Sequence, residues 1–239
     1  MRLIRRFDMD TTRPEWALGY VWDIVQRGPA TTRWTMTMTD NTPGKAPGRT
    51  PSQTVGPYLH IGLTPGRFGV REIFSPVVAD AGMPGTHIRI EGRVFDGAGA
   101  AMPDAMLEIW QADAEGRYAH PADGRPPASN SFRGFGRAAT DENGGFFFAT
   151  VKPGQVQGLG GKLQAPHINV GVFARGMLKR LFTRIYFAGE AANASDPILA
   201  LVPPERRATL LAKPDPAKPS LWRFDIHLQG PNETVFFDA

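Results

Sequence analysis

The chain has 239 residues, 41% of them hydrophobic, a formal charge of +4 and no cysteine. A domain of this size buries roughly 70% of its unfolded surface, so no structural metal is required for a core, and the lack of Cys excludes disulfides, thiolate metal sites and Cys nucleophiles. The positive charge gathers at the amino end, where residues 1–49 hold eight Lys+Arg against five Asp+Glu; the near-neutral remainder has no basic stripe of the kind that binds nucleic acid.

The opening MRLIRRFDMDTTRPEW is basic, but its acids interrupt any apolar stretch, so it makes a poor secretory signal. No run of about 18 apolar residues suggests a membrane span, and the expected location is the cytoplasm. EWALGYVWDIVQRG, residues 15–28, has the pattern of a short amphipathic helix, and TDNTPGKAPGRTPSQ after it reads as a flexible linker. Residues 1–49 are expected to be a flexible extension or the product of an early start, with Met36 and Met38 as later ones, and residues 50–239 one domain.

From about residue 51 the chain repeats short β-branched or aromatic runs bounded by Gly, Pro, Asp and Asn, the grammar of strands and turns. Strands are predicted over 86–96 (THIRIEGRVFD), 105–113 (AMLEIWQAD), both arms of 136–151 (GRAATDENGGFFFATV), 167–175 (HINVGVFAR), 181–187 (LFTRIYF) and 222–230 (WRFDIHLQG). DENGG at 141–145 is a hairpin turn, since Asn and Gly tolerate positive φ. A single short helix is predicted over 203–213, with Pro at its start and Pro214 beyond its end. About seven short strands with regular turns make this an all-β chain, a β-sandwich with long loops. No Gly-rich phosphate loop links a strand to a helix, so nucleotide chemistry has no support.

His167 and Asn169 stand two apart on a predicted strand and leave the same face. A His-x-His pair there would offer two imidazoles to one metal, for which an Asn amide is a weak, neutral substitute. Continuing along that face, Arg175 points toward the same pocket if the strand stays regular, where its fork suits a carboxylate; a solvated surface Arg is the plain alternative. Trp110 and Phe146–Phe148 read as packing.

The stretches PSQTVGPYLHIGL, LEIWQADAEGRY, GRAATDENGGFFFATVKPG, APHINVGVFARG, TRIYF and RFDIHLQGPNETVFFD together resemble the intradiol aromatic-ring dioxygenases, over about residues 50–239. The resemblance implies a β-sandwich enzyme whose nonhaem Fe(III) is held by two tyrosinates and two His and which cleaves a catechol between its hydroxyl-bearing carbons with O2. Laid on this chain, the ligand positions fall on Tyr118, Val156, His167 and Asn169. Tyr118 and His167 match, whereas Val156 and Asn169 do not. The other Tyr (Tyr20, Tyr58, Tyr186) and His (His60, His87, His120, His227) offer no replacement at i+2 on the motif strand.

That pattern is the one found in the iron-free alpha type of chain in two-chain members. It implies no metal ligands and no catalytic residues here, Fe(III) on a partner beta chain, and 3,4-dihydroxybenzoate as substrate, with Arg175, Thr54 and Gly56 helping to bind its carboxylate. The isolated chain is then expected to be inactive, with His167 and Tyr118 as buried, hydrogen-bonded residues. The rival readings are a non-enzymatic β-sandwich binding module that has lost the iron site, and a self-sufficient dioxygenase with a rebuilt one.

Overall fold

Alternation decides the first strand. In β1 (His87–Phe95) the apolar Ile88, Ile90 and Val94 are buried, while His87, Arg89 and Arg93 between them face solvent, the period-2 pattern of a strand with one covered face. The computed structural model describes residues 61–126, 129 and 132–238. The predicted extension and amphipathic segment of residues 1–49 lie outside them, as do Thr54 and Gly56.

Strands β2 (Met106–Trp110), β3 (Phe135–Ala139) and β4 (Gly145–Val151) follow, with β3 and β4 joined by the expected turn. There Asp141 Oδ1 accepts from the Asn143 and Gly145 amides, both at 2.8 Å, and Gly144 takes φ +71°. This is an Asp side chain closing its own turn beside a residue free to adopt positive φ. A small hairpin, β5 (Val156–Gln157) with β6 (Leu163–Gln164), precedes the long central strands β7 (His167–Phe173) and β8 (Leu181–Phe187). The chain then forms β9 (Leu211–Asp215), β10 (Lys218–Arg223) and β11 (Ile226–His227).

The main strands follow the order β11-β1-β10-β9-β8-β7-β2-β3, with β4 added to β1. Ile88, Ile90, Phe146 and Phe148 from one limb meet Leu107, Ile109, Ile168, Val170 and Ile185 from the other in a single core, so the fold is the expected β-sandwich. Gln111, wholly buried, ties the limbs together: its amide nitrogen donates to the Val151 carbonyl at 2.9 Å and its oxygen accepts from Thr150 Oγ1 at 2.8 Å.

The helix predicted over 203–213 is corrected. A 3-10 turn, Pro204–Leu210, occupies its first part, and Leu211 begins β9. The ladder wins over local propensity because Leu211 and Ala212 pair with Tyr186 and Phe187 at the end of β8. Pro214, expected to follow the helix, lies in β9 beyond the last residue of β8 and opposite Trp222 of β10, next to a register shift in that ladder. The strand predicted over 222–230 starts earlier and is divided into β10 and β11.

Candidate functional site

Even-numbered residues of β7 fill the sandwich core, so His167 and Asn169 emerge on the opposite face. That face is also buried, because the segment from Gln111 to Arg125 and the β5–β6 hairpin fold over it. Together they enclose a cavity of about 500 Å³. Ladder register fixes its wall: Trp110 of β2 is opposite Asn169 of β7, and Asn169 is opposite Arg184 of β8, a row across three strands. One step along, His167 pairs with Tyr186.

Tyr118 enters from the loop after β2. Asp113 Oδ1 accepts from the amides of Glu115 and Arg117 at 2.9 Å each, and Gly116 takes φ +75° so the chain can reverse. The Tyr118 amide then donates to Asp123 Oδ2 at 2.8 Å. The Tyr118 ring stacks on Trp110 with centroids 5.8 Å apart and planes 10° from parallel, and Tyr118 and Asn169 line the same cavity. Desolvation raises the Tyr118 phenol above the ordinary value; Arg184's charge opposes that rise without cancelling it.

Val156 comes from β5, two residues past the Lys152-Pro153-Gly154 turn, and contributes only methyl groups to the cavity. His167 is 3% exposed and donates from Nδ1 to the Ala165 carbonyl at 2.8 Å. That bond fixes the tautomer and leaves Nε2 without a proton. Burial, and after it the charge of Arg184, hold this imidazole well below its usual range, so it is neutral.

Arg184 is the residue that sequence reasoning missed. It is 1% exposed, donates from Nη1 to Gln164 Oε1 at 2.6 Å and approaches the Tyr186 hydroxyl at 3.4 Å. The Tyr186 hydroxyl donates in turn to the buried Asp196 at 3.1 Å. A cation inside the otherwise apolar LFTRIYF, on the face opposite Ile185, was the available signal: a buried guanidinium needs polar partners and so marks a built site. Gln164, Asp123 and Arg125 also line the cavity without having been singled out.

Arg175 does not join them. Strand β7 stops at Phe173, the chain turns at Gly176 with φ +76°, and the Arg175 side chain is 71% exposed, with Nε 3.2 Å from Asp104 Oδ2. The expected regular strand therefore ends too early to aim this guanidinium at His167. It sits at the far end of β7.

A family model described as dioxygenase matches residues 75–230. The dioxygenase domain of a dioxygenase and carbohydrate-binding protein fusion from Streptomyces sp. SirexAA-E superposes with a TM-score of 0.52 at 27% identity, over 77% of this chain and 99% of that one. This chain belongs to the intradiol dioxygenase family, whose members depend on iron. Among its relatives, the protocatechuate 3,4-dioxygenase alpha chain of Burkholderia cepacia is 49% identical over 198 residues, 80% of this chain and 98% of the relative. The protocatechuate 3,4-dioxygenase beta chain of the same organism is 34% identical over 158 residues, 63% of this chain and 67% of its own length.

Proposed function

We propose that this chain is the alpha subunit of a protocatechuate 3,4-dioxygenase: joined to a beta chain that holds the ferric ion, it takes part in cleaving 3,4-dihydroxybenzoate with O2 to 3-carboxy-cis,cis-muconate. One observation carries the reading, namely the donor set at the position where the family keeps its iron. Ferric iron is a hard cation that calls for anionic oxygen and imidazole donors. Val156 offers no lone pair, the Asn169 amide is a weak, neutral substitute for an imidazole, and desolvation raises the Tyr118 phenol above its ordinary value. Arg184 adds a buried like charge to the same wall. These residues do not fit a ferric ion.

The exposure of Arg175 supports a role across a subunit contact, since its guanidinium is free of this chain's cavity and tied only to a half-buried Asp104. On this reading it completes a carboxylate site on the partner, where a bidentate fork is well suited. Thr54 and Gly56 belong to the same contact by family resemblance.

The experiment is to purify the full chain with and without a beta chain and measure bound iron and oxygen uptake with 3,4-dihydroxybenzoate. Iron and turnover are expected only in the joint preparation. One tightly bound equivalent of ferric iron in the lone chain overturns the division of labour.

A further inference from the structure

Asn169 is 5% exposed, and its Oδ1, on the cavity wall, has no hydrogen-bond partner. Buried acceptors are nearly always satisfied, so this one asks for a donor. His167 adds a second acceptor, Nε2, because its other nitrogen donates to Ala165.

The rest of the wall is of a different character. Trp110 and Tyr118 lie in near-parallel stack, and Val156 supplies a methyl surface, so part of the lining is flat and apolar. Arg184 brings a positive charge to the row that holds Asn169. Among the described lining residues the one carboxylate is Asp123, which accepts from Arg125 Nη2 at 2.7 Å and from the Tyr118 amide. Asp196, behind Tyr186, accepts from the backbone amides of Ala165, Ile198 and Leu199. The cavity's volume of about 500 Å³ falls within the range of small-molecule sites, roughly 300–1,000 Å³.

We infer that this cavity is a ligand site in its own right, for a small planar aromatic acid carrying a hydroxyl group, of the hydroxybenzoate type. The ligand's O–H donates to Asn169 Oδ1, its ring lies against Trp110 and Val156, and its carboxylate sits in the positive field of Arg184. Each of the three features excludes a simpler ligand. Inorganic phosphate lacks the ring, phenol lacks the charge and benzoate lacks the donor. The inference does not depend on which chain holds iron, because every group it uses belongs to this one.

The test is calorimetric titration of the full chain with 4-hydroxybenzoate, benzoate, phenol and inorganic phosphate. One equivalent of 4-hydroxybenzoate is expected to bind about tenfold or more tighter than benzoate or phenol, from the loss of one hydrogen bond to a buried acceptor or of one charge-assisted contact. Asn169→Leu should weaken 4-hydroxybenzoate by about tenfold. Val156→Phe, which keeps every polar group and fills the space, should abolish binding while the protein still melts cooperatively. If the chain is obtained only with its partner, the same titration should read one equivalent per pair that Val156→Phe removes. No binding by the folded wild-type protein, equal affinity for phosphate, or binding indifferent to Val156→Phe overturns the inference.

Discussion

Asn169 on β7 and Arg184 on β8 are directly paired across the antiparallel ladder, so an amide and a guanidinium emerge side by side on the cavity wall. The pairing makes the two positions one electrostatic unit. An imidazole at 169 would have a permanent cation as its neighbour, and any metal it bound would share that cation's field. At an effective dielectric of about 20, like unit charges about 4 Å apart repel by about 4 kcal/mol.

Restoring donors alone should therefore fail. The double variant Val156→Tyr with Asn169→His is expected to bind no stoichiometric ferric iron, and adding Arg184→Gln should raise iron affinity more than tenfold. Metal analysis after dialysis, together with the visible absorption of tyrosinate-bound iron, reads the outcome. Equal iron in the double and triple variants would remove Arg184 from the explanation.

Asp196 holds the back of the site. It is fully buried and accepts from Ala165, Leu199 and Ile198 amides at 2.7, 2.7 and 2.9 Å, as well as from Tyr186. Asp196→Ala strands these buried donors and should cost about 3 kcal/mol or more. Tyr186→Phe removes a single hydroxyl and should cost about 1–2 kcal/mol. Urea denaturation ranks the two, and a reversed order contradicts the network.

His167 gives the fold an acid-side weakness. In the unfolded chain its imidazole titrates near 6.5, while in the folded chain burial and Arg184 hold it well lower. Between those two values the unfolded state binds a proton that the folded state does not. Stability is thus complete above about pH 6.5 and falls as pH drops below it, by up to about 1.4 kcal/mol per pH unit. His167→Gln should flatten most of this slope between about pH 5 and pH 6.5. The half-buried His120, lowered by burial, retains a shallow remainder. Urea midpoints across that range provide the measurement.

Arg175 separates folding from substrate recognition. Its ion pair with Asp104 is exposed, so Arg175→Ala should change stability by less than about 1 kcal/mol. In the alpha–beta complex the same substitution should raise KM about tenfold or more for 3,4-dihydroxybenzoate and far less for catechol, which has no carboxylate. Equal changes for both substrates count against a carboxylate contact.

Gly92 tests the core. A Cβ there would overlap the Phe224 carbonyl oxygen, next to the 2.9 Å bond from the Phe224 amide to the Glu91 carbonyl. Gly92→Ala should therefore cost about 2–3 kcal/mol, as overpacking does, readable in the same denaturation experiments.

The strands were legible where alternation and turn chemistry agreed. LFTRIYF coincides with β8, and DENGG joins β3 to β4 through the Asp141 side chain. The Pro203 to Lys213 region was not, because its local signals are those of a helix while Leu211 and Ala212 are claimed by a ladder with residues 25 positions earlier in the chain. At the site, the family resemblance located Tyr118, Val156, His167 and Asn169, and they surround one cavity. Arg184 escaped notice because its importance lies in cross-strand register, which no spacing within one strand reveals. Arg175 was misplaced for the opposite reason: parity along a strand presumes that the strand continues, and β7 ends two residues short.

The row from Trp110 through Asn169 to Arg184 also bears on how such a chain can change over generations. The guanidinium is held by Gln164 and Tyr186, and Tyr186 in turn by Asp196, so a single substitution that places a metal donor at 169 meets that fixed charge. On the function proposed above the row works as a ratchet: a donor restored at 169 is penalised until position 184 has changed first.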